Sequence, residues 1–108
     1  MKIILAFFII VINSVFGQAQ TYKDGVQKAD SCYKAENYKL SVDYYEKAFK
    51  IEHKNSEDLY NAGCAASLAL ENKKAFKWLN LAIDNGYEGI AHIQIDNDLT
   101  RLHTDAEW

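Results

Sequence analysis

The densest run of chemistry-bearing side chains is DNDLTRLHTDAE, residues 96–107. Carboxylates stand at its first, third and twelfth places (Asp96, Asp98 and Glu107), three of the places at which a twelve-residue calcium loop supplies oxygen ligands. The pattern fails at its centre. The sixth place of such a loop requires Gly for a sharp turn and here holds Arg101, a bulky cation beside the supposed ion, while the eighth place, usually apolar and β-branched, is His103. The alternative reading is that these acids cap short helical turns, with Asp98 and Asp105 each placed to accept a hydrogen bond from the turn that follows.

The remaining reactive side chains are Cys32, Cys64, His53, His92 and His103. No two histidines stand at i, i+4 and neither cysteine shares a motif with one, so the sequence carries no zinc signature. His53 is expected in a solvent-facing linker, and His92 is expected to pack and hydrogen-bond within the terminal segment. Nucleophilic catalysis by Cys64 would need a neighbouring base, and its own helix supplies none. With no glycine loop to cradle phosphate and no clustered ligands either, the expectation is a protein without catalysis of its own, without cofactor and without metal.

Those residues are carried by a chain of 108 with a net charge of −3. It opens with MKIILAFFIIVINSVFG, in which one basic residue, Lys2, precedes an apolar run from Ile3 to Ile12 and then a small, polar stretch. That order is the signature of a secretory leader. A membrane-spanning helix needs about 20 apolar residues, roughly twice this run, so no stable anchor is expected after leader removal. Val15 and Gly17 suit a cleavage site after Gly17, with Ala19 as second choice, and no cysteine lies there to accept a lipid. Residues 1–17 are thus read as a signal peptide and the product as secreted or periplasmic. The mature chain has eleven basic against fifteen acidic residues, a net charge of −4. That balance disfavours nucleic acid and anionic lipid as partners. About 91 residues remain, enough for one small domain with a limited core.

The chain contains no proline, and apolar side chains recur at three- and four-residue steps from Tyr38 to Ile51, with Asp43–Lys47 and Glu46–Lys50 at i, i+4 on other faces. Asn55 followed by Asp58 marks a helix start, and Asn85-Gly86 a helix stop. Residues 38–49 also align with residues 72–83, an offset of 34. Small residues coincide (Ser41 with Ala75, Ala48 with Ala82), as do bulky ones (Val42 with Phe76, Tyr45 with Leu79, Phe49 with Ile83).

On these residues the chain resembles the tetratricopeptide repeat family, whose unit is a 34-residue helix-turn-helix. The family pattern falls on Ala29, Cys32, Tyr38, Ser41, Tyr45 and Ala48 in one unit, and on Leu59, Ala62, Gly63, Ala66, Ala75, Leu79 and Ala82 in the next. Gly25 replaces an expected large residue and should weaken the first helix, and His53 replaces a terminal proline. The fold class is accordingly all-α: antiparallel helix-turn-helix repeats forming a short α-solenoid over residues 18–87, with units at about 22–55 and 56–87. Residues 88–108 resemble the segment that closes groups of such repeats in exported bacterial proteins, through Gly86, Tyr87, His92, Ile93, Asp96, Asp98, Leu99, Leu102, Asp105 and Trp108. Ile90, Ile93, Leu99, Leu102 and Trp108 would supply its apolar surface. The expected helix after Asp105 stops at Trp108, which suggests a shortened segment.

The resemblance also implies a groove. Its register places Lys23, Gln27, Asp30, Tyr33 and Lys34 of the first unit and Glu57, Tyr60, Asn61, Cys64 and Leu68 of the second on a concave face that holds a protein or peptide partner. The Lys and Asn of carboxylate-clamping members are missing, since Val26, Asp30, Tyr60 and Cys64 occupy those places. Cys32 is expected as a small core residue and Cys64 on the concave face, with no disulfide between them. The implied function is an exported scaffold for protein-protein contact. The alternative is an N-terminal accessory segment of a larger exported enzyme, such as a hydrolase or peptidase.

Overall fold

The structure, a computed structural model, describes residues 21–108; the leader read over residues 1–17 and its cleavage site lie outside the described residues. Among the described residues the chain is all-helical, with six helices and no strand. Helix α1 covers residues 21–34, and α2 (Tyr38–Phe49), α3 (Ser56–Leu68), α4 (Asn72–Asp84) and the short α5 (Ile90–Ile95) follow, ending in a 3-10 helix (Asn97–Thr104).

Local chemistry sets the boundaries. Asn55 Oδ1 accepts the Asp58 amide at 3.0 Å and so satisfies one of the free donors that open α3. Gly86, at φ 95°, terminates α4, with the Tyr87 amide closing back on the Ala82 carbonyl at 2.9 Å. The turns that join α1 to α2 and α3 to α4 have the same geometry. Glu36 and Leu70, 34 residues apart, both adopt left-handed backbone at φ 63° and 65°. In the first turn the Glu36 amide bonds to the Tyr33 carbonyl and the Asn37 amide to the Cys32 carbonyl; in the second, Leu70 bonds to Ser67 and Glu71 to Ala66. Each turn therefore reverses the chain within three residues and makes the paired helices antiparallel.

The core gathers around α3. From Leu59 to Ser67 every residue except Asn61 is buried, because α2, α4 and the 3-10 helix all pack on this one helix. A helix enclosed on several sides needs apolar residues all round, and one that its neighbours approach closely needs small ones. Ala62, Gly63, Ala65 and Ala66 meet both needs. A Cβ on Gly63 would stand 2.7 Å from both Cγ and Cδ2 of Leu79. Gly25 makes a comparable approach in the first pair, where a Cβ would lie 3.2 Å from Ala48 Cβ. The expected weakening of α1 at that glycine is corrected accordingly: α1 runs through it, since the missing side chain is what lets α2 come close.

The positions aligned across the 34-residue offset are buried in both halves at Ser41 and Ala75, Ala48 and Ala82, Val42 and Phe76, and Tyr45 and Leu79. Phe49 and Ile83 differ. Phe49 is buried edge-on against Trp78 at 5.4 Å, whereas Ile83 is 43% exposed, on a groove that it lines with Ile90, Ile93 and Trp108. Cys32 is only half-buried, being on the outermost helix, and Cys64 is buried; both are free thiols.

The terminal segment covers the open side of α3. Leu99 and Leu102 are fully buried, and their three-residue spacing, which aligns side chains in a 3-10 helix, directs both toward the core. Ile93 joins them. Trp108 and Ile90 do not supply the apolar cover expected of them: each is over 40% exposed, and Trp108 lies against His103 at 4.3 Å.

Two stability measurements follow. Gly63→Val should lower the urea midpoint, since overpacking at this contact costs about 1–3 kcal/mol. An unchanged midpoint would show that Leu79 simply moves aside. Leu70→Gly should stabilise the fold by up to about 1 kcal/mol and so raise the midpoint, because only glycine takes left-handed backbone without steric cost and Leu70 is 70% exposed.

Candidate functional site

Helices α1 and α3 place Asp30, Tyr33, Tyr60, Asn61 and Cys64 around one cavity of about 230 Å³, with Tyr45 as its floor and His92, Asp96 and Asp98 of the terminal segment as its remaining wall. Five of the ten residues assigned to the concave face are thus brought together. Lys34 reaches the rim by pairing with Asp30 at 2.9 Å. Lys23, Glu57 and the half-buried Leu68 stand apart from the cavity, and Gln27 lines a separate groove with Cys32, Leu40 and Tyr44 on the α2 side of α1. The physical reason is rotation along a helix: Gln27 is six residues from Tyr33, which turns it away from the face that Asp30 and Tyr33 share.

The groove holds the chain's own terminal segment, so Tyr33 and Tyr60, expected on a face open to a partner, pack beneath the segment expected to close the array. Tyr33 donates its hydroxyl proton to Asp98 Oδ2, and Tyr60 donates to Asp96 Oδ2. Ser67 Oγ–H bonds to the Asp98 carbonyl at 2.6 Å, and Cys64 Sγ lies 3.8 Å from Asp96 Oδ2. His92 Nε2, on the preceding turn, is 3.3 Å from the same carboxylate oxygen. Asp96 Oδ1 accepts the Asp98 amide at 3.0 Å and Asp105 Oδ1 accepts the Glu107 amide at 2.9 Å, so the caps are Asp96 and Asp105. Asp98, expected as a cap, serves Tyr33 instead. His53, expected to face solvent, is exposed but turns Nδ1 to the Phe49 carbonyl at 3.2 Å.

Burial and these bonds set the protonation states. Desolvation first, and then donation to Asp98 or Asp96, holds the Tyr33 and Tyr60 hydroxyls well above the usual tyrosine range. Burial, reinforced by the Asp96 charge, pushes the Cys64 thiol up to about 12. A nucleophilic cysteine needs the opposite environment, with a cation or base to favour the thiolate. The cavity carries three carboxylates, Asp30, Asp96 and Asp98, with the His92 imidazole beside Asp96, and no lysine or arginine bridges to Asp96 or Asp98 among the described residues. Arg101 points away, to the Ser67 carbonyl at 3.2 Å and to Asn72 Oδ1. The atoms that could hold a cation are Cys64 Sγ and carboxylate oxygens of Asp96 and Asp98, all within 4.8 Å of one another.

Sequence reasoning placed Tyr33, Tyr60 and Cys64 on one face but did not set Asp96 and Asp98 opposite them. The two contacts span 65 and 36 residues, and no periodicity extends across the irregular stretch between α4 and α5. The available signal was the doublet of acids separated by one residue in a segment expected to close the array. No family model, curated protein or solved structure matches the chain.

Iodoacetamide in mildly alkaline buffer should alkylate half-buried Cys32 well before Cys64 in the folded protein, and both alike in denaturant. Prior reaction at Cys64 would mean that the terminal segment does not hold that thiol.

Proposed function

We propose that this chain is an exported, non-enzymatic interaction module of tetratricopeptide type, which engages a protein partner at the rim of the cavity between α1, α3 and the terminal segment. The observation that carries this reading is the pair of matching turns: Glu36 and Leu70 share the left-handed backbone and the same two closing hydrogen bonds at a spacing of 34 residues. Equivalent burial of Ser41 with Ala75 and of Tyr45 with Leu79 supports the same repeat. Aromatic and polar side chains at one concave face, together with a cysteine held protonated, suit recognition better than catalysis. Export rests on the leader at residues 1–17. No helix among the described residues is long and apolar enough to cross a membrane.

The terminal segment restricts how a partner binds. It fills the inner part of the groove, so a partner would meet the exposed rim at Asn61 and the Asp30–Lys34 pair. A photo-crosslinking residue at Asn61 in the exported protein should trap the partner, whereas the same residue at Lys77, on the exposed face of α4, should trap none. Equal adducts from both sites, or none from Asn61, would refute this placement.

A further inference from the structure

The geometry points to a divalent zinc-type metal site, formed by Cys64 of α3 with Asp96 and Asp98 of the terminal segment and with His92 beside Asp96. Three donors of kinds that zinc accepts converge here from two parts of the chain, their ligand atoms all within 4.8 Å of one another, and His92 Nε2 adjoins the Asp96 carboxylate. Zinc binds thiolate sulfur at about 2.3 Å and imidazole nitrogen or carboxylate oxygen at about 2.0–2.2 Å, so donors of a tetrahedral site lie about 3.3–3.7 Å apart. Cys64 Sγ and Asp96 Oδ2 are 3.8 Å apart, and His92 Nε2 and Asp96 Oδ2 are 3.3 Å apart. Both separations fall near the edge length of such a tetrahedron, and a carboxylate oxygen of Asp98 lies within 4.8 Å of both Sγ and the Asp96 carboxylate, so that three protein donors leave the fourth position to water.

Three further observations favour a cation over a purely structural network. The donors border a cavity of about 230 Å³, so an ion has room to enter. Two carboxylates meet there with no lysine or arginine bridged to them among the described residues, and the His92 imidazole lies beside Asp96. Each carboxylate is also oriented by a tyrosine, Asp96 by Tyr60 and Asp98 by Tyr33, as outer hydrogen bonds orient the ligands of metal sites. Binding would form the metal–sulfur bond and release the Cys64 proton to solvent, with no change in oxidation state. The ion would join α3 to the terminal segment and so fasten the cover onto a domain whose core is small.

The test uses the mature protein with zinc chloride in calorimetry and with cobalt chloride in absorption spectroscopy. One equivalent of zinc should bind and raise the melting temperature, and cobalt should give the ultraviolet charge-transfer band of a metal–thiolate bond. Cys64→Ser should abolish that band. Asp98→Asn, which leaves the Asp96 cap intact, should weaken zinc at least about tenfold, and Tyr33→Phe by a similar factor through loss of ligand orientation. The paired control His53→Ala with His103→Ala should leave affinity unchanged. Zinc that binds without a thiolate band, that depends on His53 or His103, or that is displaced by equimolar calcium would overturn the assignment, as would no binding at all. Circular dichroism of each variant separates loss of ligand from loss of fold.

Discussion

The close contact between α3 and α4 at Gly63 is the constraint on which the rest of the structure depends. Because Leu79 occupies the space that a Cβ would need, the two backbones approach closely, and the remaining faces of α3 stay available to α2 and to the terminal segment. A larger residue would separate the pair and tilt α4, and the side chains of α4 that pack inward, from Ala75 to Ala82, would lose their partners together. Protein interiors are too densely packed to absorb such a shift locally.

Polar groups complete what the apolar core begins. Ser41 Oγ–H bonds to the Ala29 carbonyl at 2.8 Å between α1 and α2, and Ser67 Oγ–H does the corresponding work between α3 and the terminal segment. Both serines are fully buried, where an unpaired hydroxyl would be costly. The stacking of Tyr60 on Tyr87 at 4.4 Å directs the Tyr60 hydroxyl toward Asp96. The terminal segment is therefore fixed by two kinds of contact: Leu99 and Leu102 bury it, and the tyrosine–carboxylate bonds set its register on α3. Apolar contact alone would leave its position along α3 poorly specified, since burial is not directional.

The helices were legible because their signals are local. Periodic apolar residues, Asn55 as a cap and Gly86 as a stop act within one or two turns, and each operates as read. Gly25 was misread for an instructive reason. Its effect depends on Ala48, twenty-three residues away, and a glycine that weakens a helix in isolation can strengthen a pair of helices by permitting contact. Trp108, expected to add apolar cover, lies against His103 and forms one wall of an open groove beside Phe76 and Leu79.

The cluster at residues 96–98 shows where local reading ends. By itself the sequence determined the all-helical class and the short antiparallel links, because spacing and residue type within a few turns decide both of these. Only the tertiary structure decided that this cluster lies in the groove of α1 and α3, with Cys64 beside Asp96 and Tyr33 on Asp98. Those contacts join residues 32 and 65 positions apart, and burial of Leu99 and Leu102 where the segment packs on α3 holds them in place, so no spacing along the chain encodes them directly.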